Sequence, residues 1–244
     1  MKAWPYARWI AHRGAGKLAP ENTLAAFRLG AQYGYRMFEC DAKLSADDEV
    51  FLMHDATLER TTNGHGTGGE QRWHQLSQLD AGSWHSRTWA GEPLPRLEAL
   101  ARFCIGNGHL LNIEIKPTPG TERHTGEVVA REAARLWAGQ AVPPLLTSFK
   151  PEALAGAQAA APEQPRGLLL DTLWDGWLEK ALELQCVAVV ANYALWDAAT
   201  VARVHGAGMR CLSYTVNDEW AAQHLQDLGT DGIITDRVDG FSPA

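Results

Sequence analysis

The sequence predicts an α/β protein of the (β/α)8 class, a TIM barrel, and three observations lead to this prediction. Short apolar runs of strand length alternate with longer segments of helical spacing along nearly the whole chain. Eight such units in 244 residues match the usual size of this barrel. A doubly wound open sheet would usually carry a glycine-rich turn after its first strand and an acidic residue about twenty positions later, and residues 14–20 do not fit that pattern.

The predicted strands are the apolar runs, and the predicted helices lie between them. We expect eight strands, at residues 8–12, 37–43, 109–115, 144–148, 166–170, 186–191, 209–215 and 231–235. We expect seven helices, at residues 22–33, 95–106, 127–138, 151–160, 176–184, 196–206 and 218–228. In the first helix Leu24, Phe27 and Ala31 share one face. Asn22 is expected to cap its start, and Gly34 to end it in the left-handed conformation.

The segment after the second strand departs from the simple alternation. Residues 50–54 form another apolar run, and the turn before it is too short for a parallel crossover, so we expect a hairpin. If residue 43 pairs with residue 50, the antiparallel register places His54 opposite Glu39. Residues 55–94 are then an insertion that forms a small cap over one rim of a single domain spanning residues 1–244.

Composition limits the kinds of partner. The formal net charge is −7 and no run of lysine or arginine occurs, so the sequence argues against binding to nucleic acid or to an anionic membrane surface. Residues 1–10 lack the apolar core of a secretory signal and no later run could span a bilayer, which predicts a cytoplasmic protein. The four cysteines stand alone in apolar segments and are expected to be buried free thiols. The sequence does not indicate an oligomeric state.

Three carboxylates lie on strands whose carboxyl ends should share one rim of the barrel. Strand alternation points Glu39 and Asp41 to the same side, and Glu114 lies on the following barrel strand. Acids directed into a mostly apolar interior are costly unless they meet cations or a metal ion. Because no cysteine stands among these oxygen donors, the set favours one hard divalent cation, Mg²⁺ or Ca²⁺.

Basic and imidazole side chains are expected at the same rim. Arg13 and Lys116 would add positive charge beside the cation, which suits a phosphate ligand. His12 and His54 complete a set for proton transfer, in which one removes a proton from an attacking hydroxyl and the other protonates the leaving oxygen. Each residue alone has an ordinary structural explanation. Together they indicate cleavage of a phosphoester.

Two aromatic residues follow other strands of the barrel. Phe149 comes directly after the fourth predicted strand and Trp174 a few residues after the fifth. Their positions alone make them candidates to pack against the carbon atoms of a small substrate.

The same residues carry a close resemblance to the glycerophosphodiester phosphodiesterases, over residues 8–237. The chain is similar to the short cytoplasmic bacterial form associated with glycerol 3-phosphate uptake. The resemblance implies the same barrel. The shared motifs are His12-Arg13-Gly14, Pro20-Glu21-Asn22-Thr23, Glu39-x-Asp41, His54-Asp55, Leu58-Glu59-Arg60-Thr61, Glu114-x-Lys116, Ser148-Phe149, Thr215-Val216-Asn217 and Gly232-Ile233-Ile234-Thr235-Asp236.

The resemblance also implies roles for the residues. Glu39, Asp41 and Glu114 would bind the divalent cation. A modest departure follows this motif, where the family often has valine and this chain has Ala42 and then Lys43. The departure touches none of the inferred ligands.

For catalysis, the resemblance implies that His12 and His54 are the general acid and base, in an order that it leaves open. Arg13 and Lys116 would hold the phosphate. A free hydroxyl of the glycerol would attack phosphorus and expel the alcohol, and water would open the resulting cyclic phosphate. The expected substrate is a small glycerophosphodiester, such as glycerophosphocholine or glycerophosphoethanolamine, and the product is sn-glycerol 3-phosphate.

Two other functions compete with this interpretation. A barrel phospholipase would use related histidine pairs on a lipid diester, but it must meet a membrane, and the chain has no basic surface stretch for that purpose. A transport-linked binding protein would need no acid and base pair, so the presence of both His12 and His54 argues against it.

Overall fold

The computed structural model describes residues 4–243 and contains a closed barrel of eight parallel strands. The barrel strands are β1 (Trp9–Ala11), β2 (Met37–Leu44), β4 (Leu110–Ile115), β5 (Leu145–Ser148), β6 (Arg166–Leu170), β7 (Ala188–Asn192), β8 (Arg210–Tyr214) and β9 (Gly232–Thr235). Each pairs with its neighbour in parallel, and β1 pairs with both β9 and β2, which closes the ring. The predicted (β/α)8 TIM barrel is confirmed.

Helices separate the barrel strands. They are α1 (Leu24–Gln32), α2 (Trp73–Leu76), α3 (Leu97–Asn107), α4 (Glu122–Leu136), α5 (Pro151–Ala160), α6 (Trp177–Glu183), α7 (Ala198–Gly206) and α8 (Glu219–Asp227). Seven of them correspond to the predicted helices, and the short α2 lies between the hairpin strand β3 (Val50–Leu52) and α3. Helix α4 begins at Glu122 rather than at residue 127, because its first turn is polar and exposed and lacks the apolar spacing on which the prediction relied.

The start of α1 differs from the prediction. Thr23, not Asn22, is the N-cap residue, and its hydroxyl accepts a hydrogen bond from the backbone N–H of Ala26 at 3.3 Å. Asn22 has a φ of +60°, and its side chain points toward Asp41 instead. Gly34 follows the helix with a φ of +87°, so the left-handed end is confirmed.

The predicted hairpin is present, but its register is shifted by one residue. Strand β3 (Val50–Leu52) runs antiparallel to β2, and Lys43 pairs with Phe51 rather than with residue 50. The turn between them is closed by a hydrogen bond from the N–H of Ser45 to the carbonyl of Glu49, at 3.0 Å, which sets this register. His54 lies beyond the paired residues, so its expected position opposite Glu39 is wrong.

The segment between β3 and α3 has a small apolar cluster of its own. It contains α2 and two short 3-10 helices, Gly68–Glu70 and Arg87–Trp89. Its buried apolar side chains pack against Phe51 of β3, and they are Met53, Leu58, Leu76, Ala81 and Leu94. The carboxylate of Glu92 accepts a hydrogen bond from the N–H of Ala25 at 3.0 Å, which ties the segment to the first turn of α1.

The barrel interior is apolar at one end and polar at the other. Apolar side chains from several strands fill its lower part, among them Ile10, Leu145, Leu169, Val190, Leu212 and Ile234. Most of the remaining apolar side chains lie between the strands and the surrounding helices. All four cysteines are buried and free, as predicted. Within residues 4–243, we find no helix that is both long and apolar enough to cross a bilayer.

Helices α4 and α5 approach each other closely at two glycines. A Cβ atom on Gly126 would lie 1.9 Å from the carbonyl oxygen of Ala153, and one on Gly156 would lie 2.1 Å from that of Arg123. Neither site has room for a methyl group, because the obstacle is the backbone of the facing helix. The helix pair following β4 and β5 therefore depends on both glycines.

This contact predicts opposite effects of one substitution at two positions. Gly126→Ala should lower the free energy of unfolding by about 1–3 kcal/mol, since overpacking outweighs the better helix propensity of alanine. Gly106→Ala in α3 is the matched control, because no atom lies within 4 Å of the added methyl group. That control should stabilise the protein by roughly 0.5–1 kcal/mol. Urea unfolding of both variants measures the difference, and equal effects would contradict the packing argument.

Candidate active site

Three carboxylates converge inside the upper end of the barrel. Glu39 and Asp41 point inward from β2, and the parallel register pairs Asp41 with Glu114 on β4. One oxygen from each of the three side chains lies within 4.8 Å of the others. Glu39 and Asp41 are 3% and 1% exposed. The structure thus brings together all three residues predicted as metal ligands.

Their proximity changes the pKa of each carboxyl group. Burial raises the pKa of Glu39 well above its usual value, and the charges of Asp41 and Glu114 raise it further. Burial, together with Asp41, also raises the pKa of Glu114 to about 7. Burial acts in the same direction on Asp41, but the positive charges of Arg13 and Lys116 outweigh it and hold that pKa below its usual value. Additional positive charge would allow all three groups to ionise together.

The loop after β1 supplies part of that charge. The Nε of Arg13 lies 3.2 Å from Oδ2 of Asp41, and its backbone N–H donates to Oε2 of Glu39 at 3.1 Å. Asn22 donates from Nδ2 to the same Asp41 oxygen at 2.8 Å and accepts from the N–H of Asp41 at 3.0 Å. Arg13 and Asn22 both have positive φ, +50° and +60°. Their backbone is uncommon for residues other than glycine, and it directs their polar groups at the carboxylates.

His12 is held by a carboxylate from the last barrel strand. Its Nδ1 lies 2.6 Å from Oδ1 of Asp236, which directly follows β9. Asp236 is fixed in turn by Asn217, whose side-chain amide donates to Oδ2 at 2.9 Å and accepts from the Asp236 N–H at 2.9 Å. A single ring proton would lie on Nδ1 because of this contact, which leaves Nε2, 3.9 Å from Oε2 of Glu39, without a hydrogen bond.

His54 has the same kind of partner. Its Nδ1 lies 2.7 Å from Oδ1 of Asp55, and Arg60 donates to both oxygens of that carboxylate. Arg60 also forms two hydrogen bonds to Glu21, which accepts another from Arg13. Burial lowers the pKa of His54, and the charge of Arg13 adds to this effect, whereas the charge of Asp41 opposes it. A chain of ion pairs therefore connects the two sides of the site.

Two lysines lie beside the carboxylates at the top of β2 and β4. Lys116 Nζ is 3.1 Å from Oε1 of Glu114 and 4.0 Å from Oδ1 of Asp41. Lys43 is 2% exposed, and its Nζ donates to the backbone carbonyl of Lys116 at 3.2 Å. Burial lowers the pKa of Lys43 to about 8, and the neighbouring Lys116 contributes to the shift.

Two adjoining cavities open at this end of the barrel. The inner cavity, of about 170 Å³, is lined by His12, Arg13, Glu39, His54, Asn112, Glu114, Lys116, Phe149, Leu169, Tyr214, Thr215 and Ile234. The outer cavity, of about 510 Å³, is lined by Lys43, His54, Asp55, Ala56, Thr57, Glu114, Ile115, Lys116, Pro117, Pro119, Ser148, Phe149 and Lys150. Both cavities share His54, Glu114, Lys116 and Phe149, so a ligand could extend from one into the other.

The two aromatic candidates differ in position. Phe149 lines both cavities and packs edge-on against Tyr214, with ring centroids 5.6 Å apart. Trp174 lies in the segment between β6 and α6, is 38% exposed, and lines neither cavity. Its contact with a substrate stays a prediction.

The carboxylate cluster has the properties of a cation site. Oε1 of Glu39 and Oδ1 of Asp41 are buried and accept no hydrogen bond. Buried oxygens without a donor are costly, and a hard cation would satisfy them. A second cluster, of His205, Cys211 and Asp231, is different. Asp231 there accepts hydrogen bonds from His205, Arg210 and the Cys211 N–H, so its oxygens are already satisfied.

Sequence reasoning assigned no role in the site to several residues that this geometry makes important. They are Asn22, which holds Asp41, and Asp236, Asn217, Asp55 and Arg60, which orient the two imidazoles. The signal was present, because all five lie within the motifs quoted above. Their contacts could not be derived from spacing alone.

Comparisons with known proteins agree with this geometry. The sequence profile of the glycerophosphoryl diester phosphodiesterase family matches residues 12–240. A glycerophosphodiester phosphodiesterase of Caldanaerobacter subterraneus subsp. tengcongensis is 31% identical over 232 residues, which cover 93% of each chain.

Solved structures resemble the whole barrel. A phosphodiesterase of Oleispira antarctica in complex with the product sn-glycerol-3-phosphate superposes with a TM-score of 0.87, at 34% identity over 94% of this chain and 92% of that one. A glycerophosphodiester phosphodiesterase of Agrobacterium tumefaciens gives a TM-score of 0.81, at 29% identity over 98% of this chain and 100% of the other. With its profile match, its relatives and its barrel all in agreement, the chain belongs to the glycerophosphoryl diester phosphodiesterase family of enzymes.

Proposed function

We propose that this protein hydrolyses small glycerophosphodiesters to sn-glycerol 3-phosphate and an alcohol, with one divalent cation bound by Glu39, Asp41 and Glu114. One observation carries the proposal. Two aspartate-paired histidines, His12 and His54, and two cationic side chains, Arg13 and Lys116, line the same inner cavity as two of the three converging carboxylates. Family membership and the product found in the Oleispira antarctica structure support the same reaction.

Arg13 and Lys116 are placed to bind the phosphate of the substrate. Both are largely buried, and both already lie beside the carboxylates. The guanidinium of Arg13 is fixed by Glu21, which prevents its rotation away from the cavity. A bound Mg²⁺ or Ca²⁺ would supply further stabilisation for negative charge that develops on the phosphoryl oxygens.

The two histidines would move the protons. One imidazole takes the proton of the glycerol 2-hydroxyl as that oxygen bonds to phosphorus, and the other gives a proton to the alcohol oxygen as its bond to phosphorus breaks. Water then opens the five-membered cyclic phosphate with the roles reversed, which leaves both histidines as they began. The sum is one diester and one water converted to sn-glycerol 3-phosphate and one alcohol.

The cavities support an assignment of the two roles. His12 lines only the inner cavity, whose volume of about 170 Å³ suits the glycerol phosphate portion of the substrate. His54 lines both cavities. The alcohol would extend into the outer cavity, so His54 lies next to the departing oxygen. We therefore assign His54 as the acid and His12 as the base of the first step.

The direct test of the function measures release of sn-glycerol 3-phosphate by the purified protein. The substrates are glycerophosphocholine, glycerophosphoethanolamine, glycerophosphoserine and glycerophosphoglycerol, each with Mg²⁺, Ca²⁺ or EDTA. We expect cation-dependent release that His12→Ala abolishes. No release from any of the four with either cation would overturn the proposal, and undiminished release in EDTA would overturn its metal component.

The loss of kcat caused by removing the acid that protonates the leaving group should be smaller when the leaving group needs no proton. His54→Ala and His12→Ala should each lower kcat on glycerophosphoethanolamine by roughly a hundredfold or more. The leaving group of glycerophospho-p-nitrophenol departs without a proton. On this substrate the His54→Ala variant should regain most of the lost kcat, whereas the His12→Ala variant should not. Recovery by the His12 variant instead would reverse the assignment.

Metal binding should depend on pH in a defined direction. The raised pKa values of Glu39 and Glu114 mean that the metal-free folded protein holds more protons than the unfolded chain from about pH 4.5 to 7. The stability of the metal-free protein should therefore fall as pH rises through this window. The increase in Tm on adding Mg²⁺ or Ca²⁺ should be larger at pH 8 than at pH 5.5.

Two controls complete the pH experiment. Glu39→Gln removes one of the carboxylates with a raised pKa, so its metal-free form should lose less stability across this window and its Tm should respond less to the cation. Glu179→Gln, on the surface of α6, should behave like the wild type. A cation-induced shift in Tm that is independent of pH would contradict a site formed by these carboxylates.

A further inference from the structure

The outer cavity carries an excess of positive charge. Three lysines line it: Lys43 from β2, Lys116 from the end of β4, and Lys150 from the turn before α5. The negative groups that line it are Asp55 and Glu114. Whether this cavity attracts an anion depends on how these charges are already paired.

Both carboxylates are compensated by neighbouring cations. Asp55 accepts two hydrogen bonds from Arg60, and its Oδ1 also lies 2.7 Å from Nδ1 of His54. Oε1 of Glu114 lies 3.1 Å from Nζ of Lys116. Asp55 is therefore already paired, and Glu114 would be shared between Lys116 and the proposed divalent cation, so neither carboxylate would attract an ammonium group into the outer cavity.

Lys43 is a buried cation without an acidic partner. Strand alternation directs it to the barrel interior with Glu39 and Asp41, and the continuing ladder between β2 and β4 places it beside Lys116. Its Nζ donates to one backbone carbonyl, and no carboxylate oxygen within residues 4–243 lies within 4.0 Å of it. An ammonium group so enclosed is costly unless an anion joins it.

Lys150 adds a second cation at the outer side of the same cavity. It is exposed, and in the described part of the chain no carboxylate lies within ion-pair distance of its Nζ. Glu122 is close enough for the charge of Lys150 to lower its pKa, but the two do not form an ion pair. Lys150 is thus available to a ligand in the outer cavity.

We propose that the outer cavity selects alcohols that carry an anionic group, a carboxylate or a phosphate, over alcohols that carry none. The inference rests on the proposed function, because it assigns the outer cavity to the alcohol portion of the diester. Arg13 lies in the inner cavity beside the carboxylates. Its positive charge would be neutralised by the scissile phosphate and would not be available to a second anion. Lys43 and Lys150 remain for a second anion further along the substrate.

Two matched pairs of substrates separate the possible anions. Glycerophosphoserine differs from glycerophosphoethanolamine by one carboxylate. Bis(glycerophospho)glycerol differs from glycerophosphoglycerol by a second phosphodiester with its glycerol. The measurement is kcat/KM for all four with the wild type, expressed as a ratio within each pair. We expect a preference of about tenfold or more for the anionic member of at least one pair, the size typical of a charge-assisted contact.

Two lysine variants test the origin of the preference. Lys43→Met keeps the length of the side chain and removes the charge, and it should bring the ratio close to one. Lys150→Gln should reduce the ratio severalfold, and this exposed contribution should weaken as ionic strength rises. Lys180→Gln, in α6 and paired with Glu183, is the matched control and should leave all four kcat/KM values unchanged.

The outcomes distinguish this inference from the proposed function. A preference only within the serine pair identifies a carboxylate, and one only within the glycerol pair identifies a phosphate. Turnover of all four substrates with ratios near one overturns the selectivity and leaves the diesterase function intact. Absence of turnover overturns both. Should Lys43→Met fail to fold in thermal unfolding, Lys150→Gln decides, and an unchanged ratio in it contradicts the proposal.

Discussion

The charge balance around three buried carboxylates is the constraint on which the rest of the site depends. Glu39 and Asp41 lie almost without exposure inside the barrel, and Glu114 faces them from the neighbouring strand. Burying such groups is affordable only if cations and hydrogen-bond donors surround them. Arg13 and Lys116 provide part of this compensation, and the oxygens that remain without donors suit the cluster to the further cation that we propose.

This constraint explains the backbone of the loop after β1. Two residues other than glycine adopt positive φ there, Arg13 and Asn22, and both direct polar groups at Asp41. The same turn places His12 directly after β1, so one short loop supplies a cation, a hydrogen-bonding support for a carboxylate and an imidazole. Backbone strain of this kind persists only where surrounding contacts require it.

Most of the barrel could be predicted from the sequence because strand alternation and helical spacing are local properties. The same local reasoning placed the three carboxylates and both histidines at one rim. It failed where a contact joins distant parts of the chain: Asp236 reaches His12 across 224 positions. Asn22 looked like an ordinary helix cap, and only its two hydrogen bonds to Asp41 show otherwise. The hairpin register depended on the geometry of one turn, which apolar patterning does not determine.

The order of residues along β2 links the metal proposal to the selectivity proposal. Because side chains of one strand alternate, Glu39, Asp41 and Lys43 all face the barrel interior, at successive heights toward the rim. The two acidic side chains therefore lie deep in the barrel, and the basic side chain of Lys43 lies nearer the rim. The neighbouring strand shows the same order, with Glu114 on β4 and Lys116 directly after it. A diester with its phosphate at the carboxylate level must pass the lysine level with its alcohol portion. The charge that this portion meets is fixed by strand register, so the proposed selectivity for the alcohol and the proposed binding of the cation would both follow from one pair of strands.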